Sequence, residues 1–332
     1  MKSIKYILTL AAISAAITTL RADNDVHTGE LIGDYSGESH VDSIWRDTYV
    51  EDGSSVIFSD FRSSTQSGTN YTCADFTNSN LTSATFYYAE LKGVNFRNAN
   101  LTYVNFRDSM LTNTDFSNAT VNGTSFYSTG ITETQLKSTK SYKDKDLSGI
   151  ILGENDLNGW SFNGQNLTNA NFREATLTNA NFTDAIIKGA DFIFTVSKGF
   201  TESQLKSTKS YKDKDLSGIN LGHNNLSGWD FNGQNLTNAN FSWATLTNTN
   251  FGSATLTNAD FTEATLTNAD FANATIKGAE FRDTVYKGVT EAQLKSTKSY
   301  KEKDLNGISF GESDLSGWNF DGQNLTNANF SW

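Results

Sequence analysis

Proline is absent from the 332 residues of this chain, and cysteine occurs once, at Cys73. The lack of proline favours an uninterrupted backbone ladder, since proline cannot donate a ladder hydrogen bond. A single cysteine excludes an intramolecular disulfide. Cys73 also lies far from the N-terminus, which argues against a lipid-anchored leader.

Groups that commonly perform catalysis are also scarce. The three histidines are His27, His40 and His223, and the sequence copies related to His223 carry Glu154 and Glu312 in its place. No HExxH, P-loop, paired-cysteine or calcium-loop spacing occurs. We therefore predict a protein that is not an enzyme and has no cofactor, catalytic residue or metal site.

The formal net charge is −11, and the first 22 residues contain three basic residues and no acid, so the remainder carries −14. An acidic exterior mainly gives solubility, and it can also attract a basic partner. Residues 1–22 combine Lys2 and Lys5 with an apolar run and the sequence Leu20-Arg21-Ala22, which is typical of a secretory signal peptide. The run is short for a membrane span. We predict an exported protein (periplasm, cell surface or secreted) with no membrane span after cleavage.

The chain is organised around a period of five residues, clearest over 236–281, where Leu, Phe or Ile recurs at every fifth position. Five residues fit neither the 3.6-residue period of a helix nor the two-residue period of a strand. The apolar residues stay on one side only if the chain turns a corner at every repeat. Such internal repetition indicates a stacked solenoid.

A longer repeat indicates the number of sides. The sequence KSTKSYKDKDLSGI begins at Lys137 and again at Lys206, and a close copy begins at Lys295. The spacings are 69 and 89 residues, which differ by 20. If one turn of the solenoid has four sides, an insertion of four pentapeptides adds one complete turn. Every repeat after the insertion then stays on the same side of the solenoid.

The repeats resemble the pentapeptide-repeat family, whose motif is A-[D/N]-[L/F]-x-x. Matches stand at 170–172, 259–261 and 269–271, and the resemblance extends over 74–332 apart from three interruptions. It implies an all-β solenoid, a right-handed quadrilateral β-helix of pentapeptide repeats, interrupted by three short helical excursions. We divide the chain into a signal peptide (1–22), an N-terminal cap region (23–70) and the repeat β-helix (71–332).

Phe and Leu alternate at the inward positions, which predicts two opposite Phe sides and two opposite Leu sides. Each buried ring should contribute about 1.5–3 kcal/mol. The predicted structural core contains Phe76, Phe86, Phe96, Phe106, Phe116, Phe126, Phe172, Phe182, Phe241, Phe251, Phe261 and Phe271.

The three excursions lie near 131–146, 199–215 and 288–304. Each opens with Thr-x-x-Gln, a capping-box pattern that predicts a short helix leaving the solenoid. Each then supplies four lysines, which form either basic spots or a solvated loop. After each excursion a Trp replaces the usual small inward residue, at Trp160, Trp229 and Trp318. These tryptophans either pack against the excursion or form a ligand platform.

Three functions remain open. The first is a rigid scaffold that binds an unknown protein or surface ligand, with no nucleic acid expected. The second, implied by the family resemblance, is an acidic DNA mimic that binds a topoisomerase, although export and the lysine-rich excursions argue against it. The third is recognition of polysaccharide or ice by a threonine face, which is short because Lys277 follows Thr257 in its stack. The repeat stops at Trp332 without a cap, so either the gene is truncated or this end meets a partner, which would allow end-to-end association.

Overall fold

A computed structural model describes residues 26–31, 44–50 and 70–331. Strands β1 (Val26–Leu31) and β2 (Ile44–Val50) pair in parallel, with Val26 opposite Ile44 and Leu31 opposite Val50. Both strands lie in the predicted cap region, and their role as a cap stays a prediction. The predicted signal peptide lies outside the described residues.

From residue 70 onward the chain forms a coil with four sides per turn. Parallel bridges join residues that are 20 positions apart, such as Asn80 with Asn100 and Thr85 with Asn105. Each repeat contributes one bridge and then a turn that contains a residue with positive φ, for example 57° at Asn98. Asn tolerates this left-handed conformation better than most residues do. The turns come so often that residues 70–331 contain isolated bridges and no extended strand.

The interior of the coil is filled by the predicted inward residues. All twelve phenylalanines named above are buried. Rings one turn apart are nearly parallel, with 5.3 Å between the centroids of Phe241 and Phe261 and 7° between their planes. Rings on opposite sides meet edge to face, as Phe251 and Phe261 do at 5.5 Å and 84°. Both arrangements are favourable for aromatic pairs.

Each excursion contains two short helices, and a 3-10 turn lies directly before the second and the third excursion. Thr139 separates the two helices of the first excursion because its backbone is extended (φ −66°, ψ 155°) and its hydroxyl caps the following helix at the Tyr142 N–H. The helices are α1 (Glu133–Ser138), α2 (Lys140–Lys143), α3 (Glu202–Ser207), α4 (Lys209–Lys212), α5 (Glu291–Ser296) and α6 (Lys298–Lys301), and the 3-10 turns are Val196–Lys198 and Val285–Lys287.

The expectation that the helices leave the solenoid is wrong, because they form part of its wall. Leu136 of α1 is fully buried in the core. The Asn118 N–H donates to the Ser138 carbonyl at 3.0 Å, and the Lys140 N–H donates to the Ala119 carbonyl at 2.8 Å. These bonds continue the ladder between turns of the coil. A capping box is present at the start of α1, α3 and α5, as the Thr-x-x-Gln pattern predicts.

Candidate functional site

One side of the coil carries a row of aromatic and charged side chains, which we call the aromatic row. They occupy outward positions that follow an inward Phe or Leu, and a lysine of the 3-10 turn before the third excursion joins them. Ring contacts, cation–ring contacts or hydrogen bonds connect most neighbours in the row. The aromatic row consists of Arg107, Tyr127, Glu154, Arg173, Phe194, His223, Trp243 and Lys287.

The first part of the row is built around Tyr127. The guanidinium carbon of Arg107 lies 4.5 Å from the centroid of the Tyr127 ring. The Tyr127 hydroxyl donates to a carboxylate oxygen of Glu154 at 2.6 Å. The ring lies against Gly153, where an added Cβ would be 2.6 Å from a ring carbon. Glycine at 153 therefore allows the tyrosine to lie flat along the wall.

Burial raises the pKa of Tyr127 to about 12, and the hydrogen bond to Glu154 acts in the same direction. A carboxylate that accepts a hydrogen bond from the phenol favours the neutral form of the tyrosine. At neutral pH the Tyr127 hydroxyl is therefore protonated and donates its hydrogen bond to the Glu154 carboxylate. The Arg107 guanidinium lies beside the same ring.

The middle of the row is a stack of rings. The guanidinium of Arg173 lies 5.6 Å from the Phe194 ring centroid, and the Phe194 and His223 centroids are 4.7 Å apart. The His223 and Trp243 rings are parallel to within 2°, with centroids 6.0 Å apart. Trp243 is 54% exposed, which is unusual for so large an apolar side chain. An exposed aromatic stack of this kind is suited to packing against a flat ligand or an aromatic or proline side chain.

The row ends at Lys287 in the 3-10 turn Val285–Lys287. Its ammonium lies 5.2 Å from the Trp243 ring centroid and 2.6 Å from a carboxylate oxygen of Glu263. The row therefore contains cationic, aromatic and acidic side chains, so it offers binding groups of several kinds. Within 26–31, 44–50 and 70–331 no cluster of His, Cys, Asp and Glu could hold a metal ion, and no helix is long and apolar enough to cross a bilayer.

The tryptophans proposed as contacts lie elsewhere. Trp160 and Trp229 are 8% exposed and belong to the core, so they do not form an open ligand platform. Trp318 is half-buried because it belongs to the last described turn. Trp229 contacts Phe200 of the second excursion at 6.1 Å between ring centroids. The packing alternative is therefore correct for Trp229.

The excursion helices are attached to the coil beside each of these tryptophans. Next to Trp160, the Ser161 N–H donates to the Glu133 carboxylate at 2.7 Å, and the Tyr142 hydroxyl donates to the Ser161 carbonyl at 2.8 Å. On the other side, the Gln135 amide donates to the carbonyl of Leu111 at 2.8 Å. The same three contacts recur in the other two excursions.

Most excursion lysines have acidic or amide partners. In the first excursion Lys137 pairs with Glu133 at 2.7 Å, Lys140 pairs with Asp144, and Lys143 donates to the Asn118 side chain at 2.7 Å. The positive charge on these helices is therefore largely matched by nearby acceptors. Of the two alternatives for the lysines, this arrangement favours a solvated surface of paired charges over basic patches.

Sequence reasoning missed the aromatic row because the excursions change the spacing of the turns. Most neighbouring turns are 20 residues apart, but the bridge from Asp191 to Asn220 spans 29. Phe194 and His223 consequently become neighbours at a spacing that a fixed period does not identify.

The family comparison agrees with the repeat analysis. A family model for pentapeptide repeats matches residues 59–98, 89–126, 156–192, 215–252 and 304–332, and a second pentapeptide-repeat model matches 244–285. Together they cover more than half of the chain. No curated protein matches the sequence significantly.

The chain is also similar to solved structures of pentapeptide repeat proteins. HetL, involved in heterocyst differentiation regulation in the cyanobacterium Nostoc sp. strain PCC 7120, is 22% identical over 77% of this chain and 89% of its own, with a TM-score of 0.24. A protein of the Arabidopsis thaliana thylakoid lumen is 19% identical over 47% and 69%, with a TM-score of 0.18. QnrB1, a plasmid-mediated fluoroquinolone resistance protein, is 12% identical over 86% and 93%, with a TM-score of 0.19. These TM-scores are too low to support a structural argument, so the family models are the stronger finding.

Proposed function

The chain belongs to the pentapeptide-repeat family, and from this premise we propose that it is an exported, non-catalytic scaffold that binds a protein of the cell envelope along the aromatic row. The family's right-handed quadrilateral β-helix is the fold that we infer for 71–332. The bridges between residues 20 apart support the four-sided geometry. Export rests on the signal-peptide pattern of residues 1–22.

The aromatic row is the observation that carries this proposal. Protein interfaces are enriched in Trp, Tyr, Phe and Arg, and a few such residues supply most of the binding free energy. The row presents all four types on one side of a repetitive wall, and Trp243 in its ring stack is 54% exposed. A rigid coil holds them in fixed positions, so little conformational entropy is lost on binding.

A polysaccharide is a second candidate ligand, supported by the Phe194–His223–Trp243 stack. Flat exposed rings provide an apolar surface for sugar rings as well as for side chains. The threonine face is a weaker basis for this function. Beside Thr267 the next turn places Gly288 rather than another threonine, and an added Cβ there would lie 2.4 Å from the Thr267 hydroxyl oxygen.

The DNA-mimic alternative has less support. Its basis is the charge of −14 outside the first 22 residues. Cations of the aromatic row interrupt the negative surface, and Arg107, Arg173 and Lys287 all lie on one side. A cytoplasmic location and inhibition of supercoiling by a topoisomerase would favour this alternative over ours.

Co-sedimentation with envelope fractions tests the proposal. The purified chain from Asp23 onward is mixed with envelope fractions of the native cells, untreated or digested with proteinase K. We expect saturable binding that digestion abolishes and that the Phe194→Ala/Trp243→Ala variant weakens at least about tenfold, since a central aromatic contact is worth about 2 kcal/mol or more. Tyr103→Ala is the matched control, because Tyr103 is 66% exposed and follows Leu101 on another side of the coil.

The outcomes separate the candidates. Binding that survives proteinase K but is lost on glycosidase treatment would assign the row to a polysaccharide. Equal binding by wild type and the Phe194→Ala/Trp243→Ala variant would refute any role of the row.

A further inference from the structure

A cleft of about 750 Å³ opens where the first excursion meets the coil. Its walls are the coil segment 108–117, the loop 128–130 and the start of the first excursion, including Gln135 and Ser138. This volume lies within the roughly 300–1,000 Å³ typical of ligand pockets. The other two excursions begin with the same motif, and they show what occupies the corresponding space.

The segment that leads into the first excursion is three residues shorter than the corresponding segments before the other two. Aligned on Thr-Gly before the capping box, Thr129-Gly130 corresponds to 195–199 and 284–288, which contain the additional Val-Ser-Lys and Val-Tyr-Lys. These insertions form the 3-10 turns Val196–Lys198 and Val285–Lys287. Val196 and Val285 pack against the core. The cleft is the space that such a turn fills in the two other copies.

Main-chain hydrogen bonding shows the same difference. The Leu177 N–H donates to the Lys198 carbonyl at 2.8 Å, and the Leu266 N–H donates to the Lys287 carbonyl at 2.8 Å. The corresponding donor of the first copy, the Leu111 N–H, has no hydrogen-bond partner among residues 70–331. Buried backbone donors are nearly always paired, so this donor is available to a carbonyl from outside the chain.

Glycine packing confirms that the cleft is open. An added Cβ at Gly199 would lie 2.7 Å from the Thr178 backbone, and one at Gly288 would lie 2.8 Å from the Thr267 backbone. A Cβ added at Gly130 would meet no atom of another part of the chain within 4 Å. The loop of the first copy is attached to the following turn of the coil by the Asn155 side chain, which accepts hydrogen bonds from the Thr129 and Gly130 N–H groups at 3.2 and 2.9 Å.

The lysines of the two insertions, Lys198 and Lys287, indicate that a ligand of the cleft should carry a positive charge. Lys198 donates to the Glu174 carbonyl at 2.7 Å, and Lys287 contacts the Glu263 carboxylate at 2.6 Å. The corresponding acid in the first copy is Asp108, which lines the cleft and pairs with Arg107 at 3.2 Å. The pair with Arg107 leaves Asp108 able to bind a second cation. In the second copy the equivalent acid, Glu174, contacts both Arg173 at 3.6 Å and Lys198 at 3.9 Å.

We propose that this cleft binds a turn segment of another protein, of the type aliphatic-x-Lys-Gly. A carbonyl of the segment accepts from the Leu111 N–H, its aliphatic side chain packs on the core, and its lysine pairs with Asp108. The ligand reproduces contacts that the chain itself makes in its second and third copies. The site is separate from the ring stack at Phe194, His223 and Trp243, and it does not depend on the proposed function of that stack.

The probe is the acetylated and amidated peptide Thr-Val-Tyr-Lys-Gly-Val, the sequence of residues 284–289, titrated against the whole chain by calorimetry. We expect saturable binding that Asp108→Asn weakens at least about tenfold, together with loss of binding for the peptide with Glu in place of Lys. The matched control inserts Val-Ser-Lys between Thr129 and Gly130, as in the second copy. It should abolish peptide binding and raise the melting temperature.

A second variant tests the proposal even if the protein with the Val-Ser-Lys insertion does not fold. Thr112→Trp changes an exposed residue of the cleft wall and should block the peptide while the circular dichroism stays unchanged. The proposal is overturned if the wild-type chain does not bind millimolar peptide. It is also overturned if the filled or blocked variant binds the peptide as well as the wild type does.

Discussion

The ammonium of Lys287 lies 5.2 Å from the ring centroid of Trp243, so the 3-10 turn before the third excursion contacts the wall of the coil. The same ammonium reaches the Glu263 carboxylate at 2.6 Å. This turn is thereby attached to the aromatic row by a cation–π contact and an ion pair. Both contacts are partly exposed, which limits their contribution to stability.

A double-mutant cycle with Lys287→Ala and Trp243→Ala should give a coupling free energy of about 0.5–1 kcal/mol, as expected for a cation–π contact at an exposed site. Denaturant unfolding of the four proteins supplies the measurement. Additive effects of the two substitutions would show that the contact contributes nothing.

Replacement of Phe106 by Asp should unfold the first repeat block. Truncating a buried Phe costs about 3–5 kcal/mol, and a carboxylate without a partner in the core adds to that cost. Phe194→Asp is the control, because Phe194 points outward and its replacement lies beside Arg173. Calorimetric melting compares the two, and an unchanged melting temperature for Phe106→Asp would refute the inward assignment.

The attachment of the second excursion depends on Gln204. Its amide nitrogen donates to the carbonyls of Leu177 and Ala180, both at 2.8 Å, while its oxygen accepts from the Thr201 N–H at 2.7 Å. Gln204→Glu keeps the acceptor of the capping box and removes both donations. We expect a loss of about 1–3 kcal/mol, since the Ala180 carbonyl loses its partner and the Leu177 carbonyl keeps only its bond from the Ala180 N–H.

Hydrogen exchange in α3 (Glu202–Ser207) measures this effect locally. Exchange should accelerate in Gln204→Glu although the cap is retained. Exchange as slow as in wild type would show that the capping box, rather than the attachment to the coil, holds the helix.

Alkaline pH should destabilise the chain through Tyr127. Its pKa rises from 10.0 in the unfolded chain to about 12 in the fold, because of burial and the bond to Glu154. A raised pKa means that this stabilisation is fully present below pH 10 and is lost as pH rises through about 12. Tyr127→Phe should unfold with a weaker pH dependence in this range and lack one late step in the phenolate absorbance titration. Identical titrations would contradict the assignment.

The inward residues could be predicted because they repeat in sequence and depend on local geometry. Phe106 and Phe261 follow a five-residue period that only a turning chain can bury, so the pattern alone determines their side of the wall. The capping boxes at Thr132, Thr201 and Thr290 are equally local. The division of each excursion into two helices was missed, since it depends on Thr139 and its counterparts acting as both C-cap and N-cap.

The binding surfaces could not be predicted because they depend on contacts between different turns. Trp160 was recognised as unusual, but its neighbour Ser161 is held by Glu133 from 28 residues away. Likewise, the cleft at Leu111 exists because three residues are missing from one copy. Neither feature has a signal in a single repeat.

The location of the chain in its native cells tests the central claim most directly. Cell fractionation followed by N-terminal sequencing of the recovered protein gives the compartment and the mature start together. We predict a start at Asp23 in a fraction outside the cytoplasm. An intact Met1 in the cytoplasm would contradict export and would direct attention to topoisomerase binding.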